Sequence, residues 1–375
     1  MLLLLAAAEL LGMSLWFAAS AVGPELAMRW SLTASQTGLL ATMVQIGFVA
    51  GTAVAALFNL ADTITSRTYF ATAAVLGALA NALLLIAPSF EVALVGRFLT
   101  GACLAGVYPP AMKMIATWYD KGRGLAIGTI VGALTVGKAG PYLIQVMPFA
   151  TPDGVVLSAS LAAVAAAGLV LAGYHDGPFA FRRAPFSWAL TGEVFRIREY
   201  RLALGGYLGH MWELYSYWVW VPAFIAAATL WEPARVNALT FATFAAGGMG
   251  CVIGGLWADR VGYARFTIIA MATSGACCLL MPVFFSLSPF LLGGVLLVWG
   301  GSVVADSAQF STIVTKSVPE HAVGTALTLQ VSLGFLLTTV SIQAVPPAVE
   351  LVGWRFAFPM LALGPLLGIV SMRRL

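Results

Sequence analysis

Apolar residues run along this chain in blocks of about twenty, broken by short clusters of charge, proline and glycine. A bilayer core of ~30 Å is crossed by about 20 helical residues, so each block is long enough for one membrane-spanning helix. The pattern predicts twelve spans, near 2–23, 35–58, 68–87, 90–116, 123–146, 155–174, 202–228, 236–257, 265–286, 289–314, 322–344 and 354–372. Only Ala87-Pro88-Ser89 separates the third from the fourth, and Thr33 with Gln36 has the spacing of a capping box ahead of the second. The first block starts at Met1 with no basic lead and no small-residue cleavage site, which predicts a retained span rather than a signal peptide.

The longest polar stretch, 175–201, lies midway and carries Arg182, Arg183, Arg196, Arg198 and Arg201. It predicts a linker between two six-helix bundles, 1–174 and 202–375. If the first span runs from inside to outside, the linker, Arg67, Lys121, Arg123, Arg260, Arg265, Lys316, Arg373 and Arg374 share one side, against Arg29, Arg235 and Arg355 on the other. The excess of Lys and Arg marks the cytoplasmic face. Both termini are therefore expected in the cytoplasm, and the protein in the cytoplasmic (inner) membrane. The halves also echo each other: Gly12-Met13 and Phe17 through Pro24 align with His210-Met211 and Tyr215 through Pro222 at one offset. Such repetition is typical of carriers whose site lies between related halves.

Composition agrees, since 61% of residues are hydrophobic and 9% charged, too little polar surface for a water-soluble fold of this length. The net charge of +4 is accounted for by the topology-setting residues, so nucleic acid is not implied. Cys103, Cys251, Cys277 and Cys278 lie in apolar runs and behave as small hydrophobes, with no metal site or cofactor expected. No zinc-protease, nucleophile-elbow or phosphate-loop motif occurs, and an enzyme is not expected.

The loop after span eight reads Gly255-Leu-Trp-Ala-Asp259-Arg260-Val-Gly262-Tyr-Ala-Arg265 and resembles the G-x-x-x-D-R-x-G-x-x-R signature of the major facilitator superfamily. In the first-half counterpart Asp62 and Arg67 remain, while Phe58 replaces the leading Gly and Thr63 the first Arg. Arg97-Phe-Leu-Thr-Gly101 in span four is similar to the family's R-x-x-x-G element. Gly128-x-x-x-Gly132 followed by Gly137-Lys138-Ala-Gly140-Pro141 in span five is similar to its Gly-Pro element, and Gly353-Trp354-Arg355 at the last span is also family-like. The resemblance implies two bundles of inverted repeats, alternating access, a cavity lined by spans one, four, seven and ten, and a conformational latch at the two loops. It implies close helix contact at the glycines and a bend at Gly137, Gly140 and Pro141. Carriers of nitrate and nitrite in the superfamily place an arginine in spans two and eight; neither span here carries charge, which argues against that branch.

A charge near mid-bilayer costs at least ~2.5 kcal/mol, so each calls for a partner or a purpose. The candidates are Glu9, Arg97, Lys113, Lys138, His210, Glu213 and Asp306. Tyr207, His210, Glu213, Tyr217 and Trp220 recur at three- and four-residue spacings and share a helical face; His210 with Glu213 could there take and release a proton, or form a structural pair among aromatic residues. Trp212 and Trp218 fall on other faces, as packing residues. Asp306 and Gln309 lie one turn apart and could face a cavity together, or Asp306 could pair with Arg97 or Lys138. Lys138, mid-helix, cannot easily reach either surface and suits an anionic solute or a buried acid. Lys113 fits a snorkelling or gating role, and Glu9, only about two turns from the inner surface, could be wetted and has the weakest case.

The sequence therefore reads as a monomeric secondary transporter, embedded in lipid, moving a small organic anion or zwitterion with protons. The site expectation is Arg97, Lys138, His210, Glu213, Tyr217, Asp306 and Gln309. Two alternatives stay open: a proton-driven exporter of amphipathic or cationic compounds, and a carrier-like receptor or accessory subunit that binds solute without moving it.

Overall fold

The computed structural model describes residues 1–120, 122–179 and 186–375, apart from the side chains of residues 61, 62 and 123. Lys121, Arg182 and Arg183, and the side chains of Asp62 and Arg123, thus lie outside the described residues. Every regular element described is helical. The first predicted span is broken. It holds α1 (Leu2–Met13), a non-helical stretch over 14–17, α2 (Ala18–Ala21) and α3 (Gly23–Trp30), with Pro24 in the first turn of α3, where its missing N–H costs nothing. Next comes α4 (Ala34–Leu57), started by a formed capping box: Thr33 Oγ1 accepts from the Gln36 amide, and Gln36 Oε1 accepts from the Thr33 amide at 2.8 Å. The short α5 (Leu60–Thr63) leads to α6 (Ser66–Ile86).

Span four, predicted as one helix, is α7 (Phe90–Leu104) and α8 (Tyr108–Ala116), parted just ahead of Pro109-Pro110. Proline has no amide hydrogen to donate to the preceding turn, and the helix stops. Span five likewise divides into α9 (Arg123–Lys138) and α10 (Gly140–Ile144), with the break between Lys138 and Gly140. After α11 (Pro152–Gly173) and the linker helix α12 (Trp188–Arg196) comes α13 (Arg198–Thr229), unbroken over 32 residues despite Pro222. Then follow α14 (Pro233–Val261), α15 (Tyr263–Phe284), α16 (Pro289–Ala305) and α17 (Ser307–Ser317), the last two hinged on Asp306. The final helical run is α18 (Val323–Ala357), interrupted at Gly353 with φ 72°, a short 3₁₀ turn, and α19 (Leu363–Met372). Among the described residues, eight stretches are long and apolar enough to cross a membrane by length and composition, and Leu2–Met13 and Gly124–Lys138 are apolar but shorter. Large apolar side chains such as Leu79, Leu161, Ile269 and Val298 point outward, as lipid-facing residues do.

Glycines set the packing. A side chain on Gly101 of α7 would strike the Val44 backbone of α4, and one on Gly51 would strike the backbone of Ala102. After the linker the same contacts recur 199 positions on: Gly300 of α16 against Thr243 of α14, and Gly250 against Gly301. The faint sequence echo is thus a duplication of backbone contacts. Helices before the linker pack largely on one another, as do those after it, and the groups meet along two seams, α9 on α14 and α4 on α18. In the first seam Gly128 faces the Cys251 carbonyl and Gly132 the Gly248 carbonyl, so closely that a Cβ on either would stand only 2.7 Å from the oxygen. In the second, Gln343 donates to Thr42 at 3.0 Å.

Candidate functional site

The broken helices meet at a cavity of about 60 Å³ between the two groups. That holds a few water molecules, so an organic solute needs the wall to open. Met13 and Trp16 line it where the first span unwinds, Tyr108 at the start of α8, Lys138 at the end of α9, and Ser307 and Ser311 on α17. The α13 wall is Tyr207, Met211, Leu214, Tyr215 and Trp218. Of the face expected from spacing, Tyr207 alone is in this wall. Trp218, read from spacing as a packing residue, stands on the cavity wall; His210, Glu213, Tyr217 and Trp220 do not line it.

Lys138 is the centre of the arrangement. It is 2% exposed, and Nζ donates to Tyr215 Oη at 2.5 Å. Nζ also lies over three rings, 4.1 Å from the centroid of Trp16, 4.7 Å from Tyr215 and 4.9 Å from Trp218. Desolvated cation–π contacts are worth about 2 kcal/mol or more. Among the described residues no carboxylate lies within ion-pair distance of Nζ, so the ring faces and one hydroxyl hold the ammonium. Trp16 comes from the first group of helices, Tyr215 and Trp218 from the second. The cage spans the boundary between them.

Arg97 is wholly buried and committed elsewhere. Its guanidinium donates to Asn81 Oδ1 at 2.8 Å, to the Leu15 carbonyl at 3.1 Å and to the Trp16 carbonyl at 2.5 Å. The unwound stretch of the first span leaves carbonyls without helical donors, and Arg97 satisfies two of them. Asn81 is fixed in turn by the Val156 carbonyl and Ser160. Arg97 therefore meets neither Asp306 nor the cavity. The non-helical turn that explains it has no marked sequence signal.

The acids of the second group also differ from expectation. Glu213 does not pair with His210: it accepts from Ser274 at 2.8 Å, Cys278 at 3.0 Å and Trp299 Nε1 at 2.7 Å, inside the helices after the linker. His210 turns instead to Asp306, with Nδ1 2.8 Å from Oδ1, and shares a 2.9 Å hydrogen bond with Ser307 through Nε2. The His210–Asp306 approach is at ion-pair distance, yet Oδ1 is not in line to accept a hydrogen bond. Asp306 thus pairs with neither Arg97 nor Lys138. Ser307 joins this chain of groups to the cavity. Gln309 bonds back to the Ala305 carbonyl at 3.3 Å, and Tyr217 donates to the Leu296 carbonyl at 3.0 Å while lying 4.4 Å from the Trp299 ring. Neither lines the cavity.

Glu9 is fully buried rather than wetted, and neither carboxylate oxygen has a hydrogen-bond partner. Spacing gave no hint of this, since the burial comes from packing of α1 against α9 and α11.

Between α14 and α15, Tyr263 donates to Asp259 at 2.6 Å. Asp259 also lies beside the first turn of α9, its Oδ2 3.2 Å from where a Cβ on Gly124 would stand, a favourable place for an anion. Gly255 touches the Gly124 backbone, and Gly262 has φ 91°, a region few residues other than glycine adopt. Arg260 and Arg265 are exposed, and Arg67 donates to the Leu171 carbonyl. Gly137 packs on the Leu10 backbone, and Gly140 and Pro141 follow the break after Lys138.

No curated protein matches the chain. The family model described as Major Facilitator Superfamily matches residues 4–342, which takes in the unwound first span, the caged lysine, the glycine seam of α9 on α14 and the loop from Gly255 to Arg265. A multi-pass helical membrane protein with that match from near its start to the middle of α18 belongs to the Major Facilitator Superfamily, a family of secondary transporters.

Proposed function

We propose that this protein carries a small organic anion, or a zwitterion bound by its anionic end, across the cytoplasmic membrane together with protons, by alternating access. The observation behind this reading is Lys138: a buried ammonium beside the cavity, at the junction of two groups of helices, with no carboxylate within ion-pair distance among the described residues. An anionic group entering the cavity would supply the missing counter-charge, and the rings of Trp16, Tyr215 and Trp218 would pack its organic body. The buried carboxyl group of Glu9, on the helix packed against α9, puts a titratable acid near this lysine.

In this reading twelve spans form two six-helix bundles, 1–174 and 202–375, which rock about the site across the linker 175–201, with both termini in the cytoplasm and one chain as the working unit. The α9/α14 and α4/α18 seams are the surfaces that slide. Asp259 at the start of α9, with Arg260, Gly262 and Arg265, latches one facing state, and Asp62 and Arg67 form the first-half counterpart.

The test is uptake of radiolabelled monocarboxylates into liposomes holding the purified protein, driven by an imposed pH gradient. Accumulation is expected with the natural residue and is lost in Lys138→Ala. Gradient-driven movement of organic cations, unaffected by Lys138→Ala, would instead favour an exporter that uses the aromatic cage for ammonium groups. Binding without accumulation would mark a receptor.

A further inference from the structure

Two anomalies of this structure lie side by side. Lys138 has a charge and no carboxylate; Glu9 has a carboxyl group, 0% exposed, and no donor. They flank one helix crossing, because Gly137, next to Lys138, packs without a side chain on Leu10, next to Glu9, with the Leu10 Cα 2.7 Å from where a Cβ on Gly137 would stand. The helices packed on α1 are α8, α9 and α11. Of their titratable groups, Lys138 on α9 and Tyr108 on α8 share the electrostatic surroundings of Glu9. Lys113 on α8 has a partner of its own, and α11 offers only Asp153, in its first turn. Cys251 of α14 is near Lys138. His210 and Asp306, by contrast, already have each other.

An unpaired charge buried in the membrane costs several kcal/mol, so the site is crossed most cheaply when its charges sum to zero. Resting on the anion-carrier reading, we propose that Glu9 is the proton-binding group of the transport cycle, that Lys138 exchanges partners between Glu9 and the solute anion, and that one proton therefore accompanies each monoanion.

In the empty carrier the Glu9 carboxylate neutralises the Lys138 ammonium. When a monoanion takes its place at Nζ, a hydronium ion in the open cavity breaks one O–H bond and passes that proton to a Glu9 oxygen, leaving water, and no other covalent bond changes. The loaded site is again neutral. The cage of Trp16, Tyr215 and Trp218 is where the ammonium waits between partners, which is the arrangement seen here, with Nζ on Tyr215 Oη. Because Tyr215 and Trp218 come from the second group of helices, the exchange is tied to the relative position of the two groups.

The experiment counts protons during binding. Purified protein in weakly buffered detergent near neutral pH is titrated with sodium benzoate and sodium lactate, both already ionised there, while an indicator dye reports proton uptake and calorimetry reports occupancy. Close to one proton per bound anion is expected, with apparent affinity falling about tenfold per pH unit on the alkaline side. In Glu9→Gln the anion still binds, the uptake disappears and the affinity becomes flat with pH; in His210→Gln the uptake remains. Anion binding without proton uptake by the unaltered protein overturns the inference and needs no variant to do so. Uptake that survives Glu9→Gln, or vanishes in His210→Gln, overturns it also and places the proton on the His210–Asp306 pair. Failure of both anions to bind, or binding unchanged by Lys138→Ala, removes the anion-carrier reading itself and this inference with it.

Discussion

Replacing Arg97 by alanine separates two roles that an intramembrane arginine can have. The structure gives its guanidinium three buried acceptors, Asn81 Oδ1 and the carbonyls of Leu15 and Trp16. The Leu15 carbonyl has otherwise only a long bond from the Ala18 amide at 3.5 Å. A buried acceptor left without its donor costs about 1–3 kcal/mol, so Arg97→Ala is expected to lose about 3 kcal/mol at the low end. The removed desolvation of the arginine offsets part of that, and the cavity left by the side chain adds to it. At about 1.3 °C per kcal/mol, from an unfolding entropy of about 2.1 cal/mol/K per residue over a chain this long, the unfolding midpoint in detergent should fall by about 4 °C, read by tryptophan fluorescence. Arg97→Lys, which keeps the charge but can reach only part of the fork, should fall between the two. If Arg97→Ala unfolds within about 1 °C of the unaltered protein and yet abolishes transport, Arg97 acts on solute or coupling and the staple argument is wrong.

Glu213→Gln should behave as a packing lesion. The three donors now satisfied by the carboxylate would face an amide that offers one acceptor oxygen and two hydrogens, so a loss of about 1–3 kcal/mol is expected, with the pH dependence of transport unchanged; an altered pH profile at unchanged stability would contradict this. Gly132→Ala places a Cβ 2.7 Å from the Gly248 carbonyl, and relieving that contact should cost about 1–3 kcal/mol and slow the sliding of α9 on α14. Thermal unfolding and solute exchange rates check it, and unchanged values of both would show that the seam is looser than described.

The class of the protein was legible in its sequence because hydrophobic blocks and the Gly255-to-Arg265 loop depend only on local residue order. The capping box at Thr33 and the gap at Ala87-Pro88-Ser89 were legible for the same reason. Lys138 stood out as a mid-helix ammonium, and its burial at the cavity could be anticipated. Its partners could not. The cage joins Trp16 to residues some 200 positions away, and spacing along one helix shows which residues share a face without showing which way that face turns. Hence of the face that periodicity grouped, Tyr207, His210, Glu213, Tyr217 and Trp220, the cavity wall holds Tyr207, together with Met211, Leu214, Tyr215 and Trp218 from neighbouring positions. The break over 14–17 was the least legible feature, since no proline or glycine lies within it, and it determined the role of Arg97.

The recurrence of backbone contacts 199 positions apart carries an evolutionary consequence. What was copied is the scaffold, Val44 against Gly101 and Thr243 against Gly300, whereas chemistry was written once. Arg97 corresponds by that offset to Leu296, and Asp306 to Val107; by the offset of the first and seventh spans, Glu9 corresponds to Tyr207 and Glu213 to Leu15. Contacts made by glycine and main chain do not depend on side-chain identity, so cavity residues can diverge without loosening the frame. A lineage could thus change what it carries through substitutions at a few positions, and the lopsided placement of charge would orient a two-ended solute the same way whichever side it enters from.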